Sequence, residues 1–498
     1  MVTIPKLTFW QQIRSFPSSF WVANSIELVE RFSFFGVRTI AALYIVAEAE
    51  KGGLEFTNTD KGIFFGVWSL IQCLLPMFTG GFADRYGYRI SLIVAFLINI
   101  VGYSMMGFTT SWWSFMAACC MIGTGTAIFK PPLHGTLAHC VNESNSSVGW
   151  GMFYQVVNIG GFIGPVICGY LRLLEWRYAF FAAASIIIVN IMITLLFLKD
   201  YAKGRDSADS KDQKKNKNAA QVFAESMAIL ADLRFVVFLA IFSGFWFMFM
   251  QLFDQLSIFI DQWVDSSDIM KTVASLFGSE TLAQKAAEGV QVNAEWIVNV
   301  DAGSIILLVL LISYITSKFR PISAMIFGMA ICCVGLAMAG SFTSGWMCVI
   351  SIMIFAVGEM ACSPKFSEYV GLMAPPEKKA LYMGYSNIPF AVGWSGTNFI
   401  GAPLYQWLSD KDSLARRYLI DELNQSAGSV EKLSKSEVTT TLCEKLGQGE
   451  AAVREMLWNH YQPQTFWYIC MAIGVAATIA MIGYHFWLEA DAKKRAAA

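Results

Sequence analysis

The sequence predicts an all-α membrane protein of about twelve transmembrane helices in two groups of six. Three observations predict it. Hydrophobic residues make up 55% of the 498, and charged residues 15%, against about 25% in soluble domains. Apolar stretches long enough to cross a bilayer recur along the whole chain. A polar, basic stretch then divides them into two equal sets.

The apolar segments fall at about 19–47, 61–83, 89–108, 112–139, 148–171 and 177–198, then at about 234–262, 296–317, 321–341, 345–373, 381–406 and 465–488. This gives an N-terminal bundle over 1–198, a linker over 199–233 and a C-terminal bundle over 234–498. The linker carries Lys199, Lys203, Arg205, Lys211, Lys214, Lys215 and Lys217. Arg85, Arg89, Lys318, Arg320, Lys378, Lys379 and the tail's Lys493, Lys494 and Arg495 fall on the same side if the spans alternate. The positive-inside rule makes that side cytoplasmic, with both termini there, in a multi-pass protein of the cell (inner) membrane. The linker's charge reads as a solvated face.

Two loops on the opposite side are long. One, about 263–295, leans acidic (Asp265, Asp268, Glu280, Glu288); the other, about 407–463, reads as an exterior helical hairpin with Leu419, Leu423, Val430 and Leu433 in helical register. It contains the sequon Asn424-Gln425-Ser426, which matters only in a eukaryotic secretory setting.

The formal charge of −1 argues against nucleic acid as a partner. The expected partners are the lipid bilayer and a small-molecule solute, with the chain a monomer. The eleven cysteines have no metal-ligand or disulfide spacing and read as packing residues. No cleavable signal pattern and no lipidation motif is found. His134, His139, His460 and His485 form no HExxH pattern, no activated nucleophile stands out, and no metal or cofactor is expected beyond a coupling proton.

The first span carries four ionisable groups: Glu27, Glu30, Arg31 and Arg38. Their helical spacing places them on one face. Each costs about 2.5–3.5 kcal/mol at mid-bilayer unless it faces a protein interior or a wet cavity. A cavity with partners on other helices is the economical reading; an ion pair snorkelling to the interface is the plainer one. In the fourth span Lys130 precedes Pro131-Pro132. Prolines interrupt the helix ladder, which is tolerated where the freed backbone lines a cavity. Lys130 is then a partner for Glu27 or Glu30, or a lysine holding a kink together. In the fifth span Tyr154 and Asn158 lie one turn apart, for a ligand or for helix–helix hydrogen bonding. Trp246, Gln251, Asp254 and Asp261 sit on the seventh span, Asp301 opens the eighth, and Glu359 lies inside the tenth, before Lys365 and Glu368. A desolvated carboxylate with a movable cation partner suits proton coupling; a purely structural Glu359 is the alternative.

Gly80-Gly81-Phe82-Ala83-Asp84-Arg85-Tyr86-Gly87-Tyr88-Arg89 resembles the loop signature of the major facilitator superfamily, with Asp84 and Arg85 at the cytoplasmic gate. The match says nothing of the solute. Glu27-Leu28-Val29-Glu30-Arg31-Phe32-Ser33-Phe34-Phe35-Gly36 resembles the ExxERFxYYG motif of the proton-coupled oligopeptide transporters within that superfamily. Phe129-Lys130-Pro131, Phe153-Tyr154 with Asn158, and Glu359 with Ser363-Pro364 resemble that family's motifs in spans four, five and ten. The resemblance implies a proton-linked cluster of Glu27, Glu30 and Arg31 with Lys130. It implies that Arg38 holds a substrate carboxylate and that Tyr154 and Asn158 meet the peptide backbone. Glu359 would meet the amino group or pair with Lys130, while Trp246 and Gln251 line the C-terminal half of the pocket. Asp301 stands where the family carries an asparagine and joins the substrate-binding set.

The sequence departs from the family at Phe34 and Phe35 (tyrosines), Cys73 (tyrosine), Met250 (a carboxylate), Ser386 (tryptophan), Phe366 (glycine) and Glu368 (serine). The proton machinery is better kept than the peptide pocket. The expectation is a proton-coupled symporter of di- and tripeptides or related solutes, working by alternating access around a chamber that these acids and bases share. A transporter of a non-peptide solute (an organic anion, an amino-acid derivative or a drug) is the alternative. A transport-inactive receptor or an intramembrane enzyme is the third reading.

Overall fold

The computed structural model describes residues 9–76, 79, 83, 86–142, 145–199, 232–316, 318–373, 382 and 385–497. Asp84, Arg85, most of the linker, and Lys378 and Lys379 lie outside the described residues.

The described chain is helical almost throughout. A short α1 (Phe9–Ser15) precedes α2 (Ser18–Val46), α3 (Asn58–Leu74), α4 (Tyr88–Phe108), α5 (Trp112–Cys140), α6 (Ser146–Arg172) and α7 (Trp176–Phe197). Beyond the linker come α8 (Leu233–Asp254), α9 (Leu256–Trp263), α10 (Ser267–Phe277), α11 (Glu280–Ala287), α12 (Ala294–Val298), α13 (Val300–Thr316), α14 (Pro321–Ala339) and α15 (Gly345–Met373). They are followed by α16 (Asn387–Gly396), a π-helical turn (Thr397–Gly401) and α17 (Ala402–Leu408). Then come α18 (Lys411–Asp421), α19 (Ala427–Val430), α20 (Lys435–Leu446), α21 (Glu450–Tyr461) and α22 (Thr465–Ala497).

Eight of these helices are long and apolar enough to cross a bilayer: α4, α5, α6, α7, α8, α14, α15 and α22. The helices in the remaining predicted spans each break a simple hydropathy rule. Helix α2 is long enough but carries four charges, α3 and α13 have 17 residues each, and the stretch from α16 to α17 is interrupted by the π-turn. The seventh predicted span is two helices, α8 and α9, broken at Gln255. The 263–295 loop is a helical excursion, α10 to α12. The expected hairpin at 407–463 has three longer helices, α18, α20 and α21, around Leu414, Leu419, Val438, Leu442, Val453 and Leu457. The extra helix follows from apolar residues continuing at helical spacing past Leu433.

Contacts divide the chain into two compact units. The first comprises Met1–Arg38, Val67–Leu239 and Val370–Ala391; the second comprises Thr39–Gly66, Ala240–Tyr369 and Val392–Ala498.

In the first unit, glycines set how closely α2 and α6 approach. A Cβ at Gly164 would lie 2.3 Å from the Phe32 carbonyl oxygen, and one at Gly160 would lie 2.8 Å from the Arg31 Cβ. Small residues four apart are the usual device for backbone-to-backbone packing in lipid. Gly164→Ala is expected to cost about 1–3 kcal/mol, because neither backbone can yield without shifting a helix. Gly151, with open space around it, is the control. Thermal unfolding in detergent should separate Gly164→Ala from Gly151→Ala.

Helix α5 runs through Pro131 and Pro132 without ending. Pro131 has no N–H for the Ala127 carbonyl. The Thr79 hydroxyl donates to that carbonyl instead, at 2.9 Å. The predicted interruption is therefore a gap in the hydrogen-bond ladder filled by a neighbouring side chain, and the helix continues.

Candidate functional site

The charged face of α2 is buried in the first unit. Glu27, Glu30, Arg31 and Arg38 are all 6% exposed or less. Helical spacing brings the first three together: Arg31 Nε lies 3.1 Å from Glu27 Oε1, and Arg31 Nη2 also pairs with Glu30 Oε2. The guanidinium stacks over Phe34, 4.8 Å from the ring centroid, and faces Phe35 and Phe129 at 5.8 and 6.0 Å. The aromatic residues at 34 and 35 thus offer ring faces to a cation, where hydroxyls had been expected from the resemblance.

Lys130, on α5, is close enough for its charge to act on both carboxylates, yet no acid among the described residues is within ion-pair distance of it. The partnership expected of Lys130 with Glu27 or Glu30 is thus one of charge at longer range than an ion pair. Arg31 lies one residue from Glu30 and one turn from Glu27, so it takes both carboxylates locally. Among the described residues Lys130 is left without an ion pair.

Arg38, two turns further along α2, stacks over the Trp68 ring at 5.1 Å and donates from Nη2 to Ser69 Oγ at 3.4 Å. Tyr154 and Asn158 are half-buried on α6. The Asn158 amide donates to the Tyr154 carbonyl at 2.8 Å, so its donor is partly engaged within its own helix. Tyr103, on α4, is a residue the sequence reading missed. It is fully buried, its hydroxyl has no hydrogen-bond partner among the described residues, and it lies within the field of Glu30 and Arg31. A lone tyrosine in an apolar span carries no periodicity signal.

In the second unit, Trp246, Gln251 and Asp301 are 2%, 0% and 3% exposed, and Glu359 is half-buried. Trp246 packs against Phe249 and Phe366, with ring centroids 4.7 and 6.5 Å away. Gly401 lets Gln251 approach: a Cβ there would lie 2.6 Å from Gln251 Nε2. Asp301 and Glu359 feel each other's charge, and each has one enclosed oxygen without a hydrogen-bond partner among the described residues. The Gln251 amide is likewise unbonded at both atoms.

The second unit also buries a lysine that the sequence reading passed over. Lys61 is 0% exposed; its ammonium donates to the Asp254 carbonyl and to Gln255 Oε1, both at 2.6 Å. The Asp254 carboxylate accepts from Trp394 Nε1 at 2.8 Å and Asn398 Nδ2 at 2.7 Å. These contacts join the break between α8 and α9 to the π-turn. A lysine at the edge of an apolar segment looks in sequence like an interfacial anchor; only its partners, more than 190 positions away, show it buried. Among the described residues no group of three His, Cys, Asp or Glu side chains could hold a metal ion.

The family profile of the Major Facilitator Superfamily matches residues 28–397. The chain belongs to the major facilitator superfamily. As a member it is a multi-pass membrane transporter and not an enzyme, with the all-α major facilitator fold of twelve transmembrane helices in two six-helix bundles. The multidrug resistance protein MdtH of Yersinia enterocolitica is 21% identical over 383 residues, 77% of this chain and 85% of that one. A POT family transporter solved in complex with 5-aminolevulinic acid is 15% identical, with a TM-score of 0.66 over 95% of this chain and 99% of that one. Another, in complex with a thioalcohol-conjugated peptide, is 15% identical, with a TM-score of 0.67 over 96% and 99%. At that identity the likeness is one of fold.

Proposed function

We propose that this major facilitator protein is a proton-coupled symporter of di- and tripeptides or related small peptide-like solutes, of the oligopeptide transporter type. The observation that carries the reading is the buried Glu27–Arg31–Glu30 triad beside a lysine that has no ion pair among the described residues. Protonating either carboxylate removes one of the two charges that hold Arg31. Lys130 or Arg38 can then take a substrate carboxylate in exchange, so proton and solute favour the same state. The two acids titrate as a set. Asp301 and Glu359 supply the negative counterpart for a substrate amino group, with Trp246, Gln251, Tyr154 and Asn158 around the solute. In this reading Asp84 and Arg85 serve the inner gate. The chain works as a monomer in the inner-membrane bilayer, with both termini and the linker cytoplasmic and no cofactor beyond the coupling proton.

A second reading keeps the transporter and changes the solute to an amino-acid derivative, an organic anion or a drug. Phe34, Phe35, Cys73 and Met250 favour it, because hydroxyls and an acid expected around a peptide are missing. The multidrug relative and the 5-aminolevulinic acid complex point the same way. Purified protein in liposomes with an inward proton gradient decides between them. Uphill uptake of labelled dipeptide, competed by tripeptides, supports the first reading. Uptake of 5-aminolevulinic acid without competition by peptides supports the second, and uptake that only equilibrates the solute whether or not the proton gradient is present overturns the coupling.

A further inference from the structure

We propose that the helical insertion at 407–463 is an exterior latch: it fastens the link between the first two long helices, and its release is a step in outward opening. The inference rests on the transport reading and its orientation, while its contacts all lie within the second unit.

The link begins by folding back on the end of α2. The amide of Leu54 donates to the Tyr44 carbonyl at 3.0 Å, Glu55 to Ala47 at 2.9 Å and Phe56 to Ile45 at 2.9 Å. These bonds satisfy carbonyls that a helix C-terminus leaves unpaired. Glu55 adopts φ +55°, the left-handed region that a glutamate rarely visits. The Glu55 carboxylate is used: its Oε1 accepts the backbone N–H of Lys435 at 2.9 Å.

Lys435 is the fastener. Its ammonium donates to the Val46 carbonyl at 2.6 Å and the Phe56 carbonyl at 3.3 Å. Val46 ends α2, where the helix dipole favours a cation. Lys435 is also the first residue of α20, where the dipole disfavours one. A lysine is thus placed at the wrong end of its own helix and the right end of another. The insertion is stiffened around it. Ser434 and Glu437 form a capping box, and the Ser434 backbone N–H holds the Glu437 carboxyl below its usual range. Arg416 pairs with Asp412 and donates to the carbonyls of Val430 and Leu433 at 2.7 and 2.9 Å, fixing the approach to α20.

Two further ties hold the start of α3. Asp410 caps α18 by accepting from Ser413, and its other oxygen accepts from Asn58 at 2.9 Å and Gln262 at 2.8 Å. Gln406 Oε1 accepts the Thr59 amide at 2.8 Å and the Thr59 hydroxyl at 2.6 Å, satisfying a donor that the first turn of α3 leaves free. Thus α2 ends, and α3 begins, on groups supplied by residues 406–435. In alternating access the outer ends of the two halves must separate in one state. The ties of Asn58, Thr59, Glu55, Val46 and Phe56 each join a residue before 60 to one after 400, so each must let go.

Spin labels at Glu50 and Glu431, both exposed, in a chain whose native cysteines are replaced, report this separation by electron-resonance distance measurement in nanodiscs. The wild type should give one short-distance population. Lys435→Ala should raise the long-distance population about tenfold, the effect expected of losing one charge-assisted hydrogen bond. The pair Asn58→Ala and Gln406→Ala leaves Lys435 in place and should raise it too, which covers the case in which Lys435→Ala does not fold. A long-distance population unchanged in the folded variants overturns the latch. The measurement uses neither solute nor proton gradient, so its failure is distinct from a failure to find transport.

Discussion

Lys130→Gln is expected to abolish uphill accumulation of solute in liposomes carrying an inward proton gradient, while solute exchange without the gradient persists. Glutamine keeps a polar, hydrogen-bonding end on a chain about one atom shorter, without the charge. The charge matters because Lys130 acts on Glu27 and Glu30 from α5 while Arg31 holds both in ion pairs. When a carboxylate takes a proton, the cluster of Arg31 and Lys130 gains net positive charge, and Lys130, which has no ion pair among the described residues, can meet a solute anion. The concentrative part of uptake should fall at least about tenfold, a loss of about 1.4 kcal/mol or more of coupling. Counterflow of preloaded solute measures exchange separately. A Lys130→Gln protein that still concentrates solute sinks the coupling scheme.

Arg31→Ala should be the most damaging single change to stability. It leaves Glu27 and the fully buried Glu30 without the cation that contacts both. Breaking a buried pair by removing one partner costs about 3–5 kcal/mol, because an uncompensated charge remains in low dielectric. It also removes a cation stacked against Phe34. The melting temperature in detergent should fall by roughly 10 °C. Adding Glu30→Gln to Arg31→Ala should recover part of the loss, since one orphaned charge is then gone. The two single variants and the double variant form a cycle that isolates the pair. Equal melting temperatures for Arg31→Ala and the wild type would show that the ion pairs carry no net stabilisation.

Much of the site was legible in sequence because it is local. The grouping of Glu27, Glu30 and Arg31 follows from helical spacing alone, and so does the position of Arg38 two turns away. The spans were legible because apolar length is a property of consecutive residues, and α2 was recognisable despite its charges because its flanks are apolar. Lys130 shows where that reasoning stops. Spacing showed a lysine before two prolines; it did not show that Arg31 had already taken the acids, nor that Thr79 would bridge the gap left by Pro131.

What the sequence determined by itself is the membrane architecture, the charged face of the first span and the motifs that mark the superfamily. The tertiary structure alone decided that Lys61 is buried against the break in α8–α9, and that the π-turn supplies Asn398 to Asp254. It alone decided that Lys435 finishes a helix ending nearly 400 residues earlier. The reason is geometric. Periodicity reports which residues share a face within a few turns. The partner a buried polar group finds depends on the register between helices distant in the chain, set by close approaches such as Gly62 against the Asn398 carbonyl.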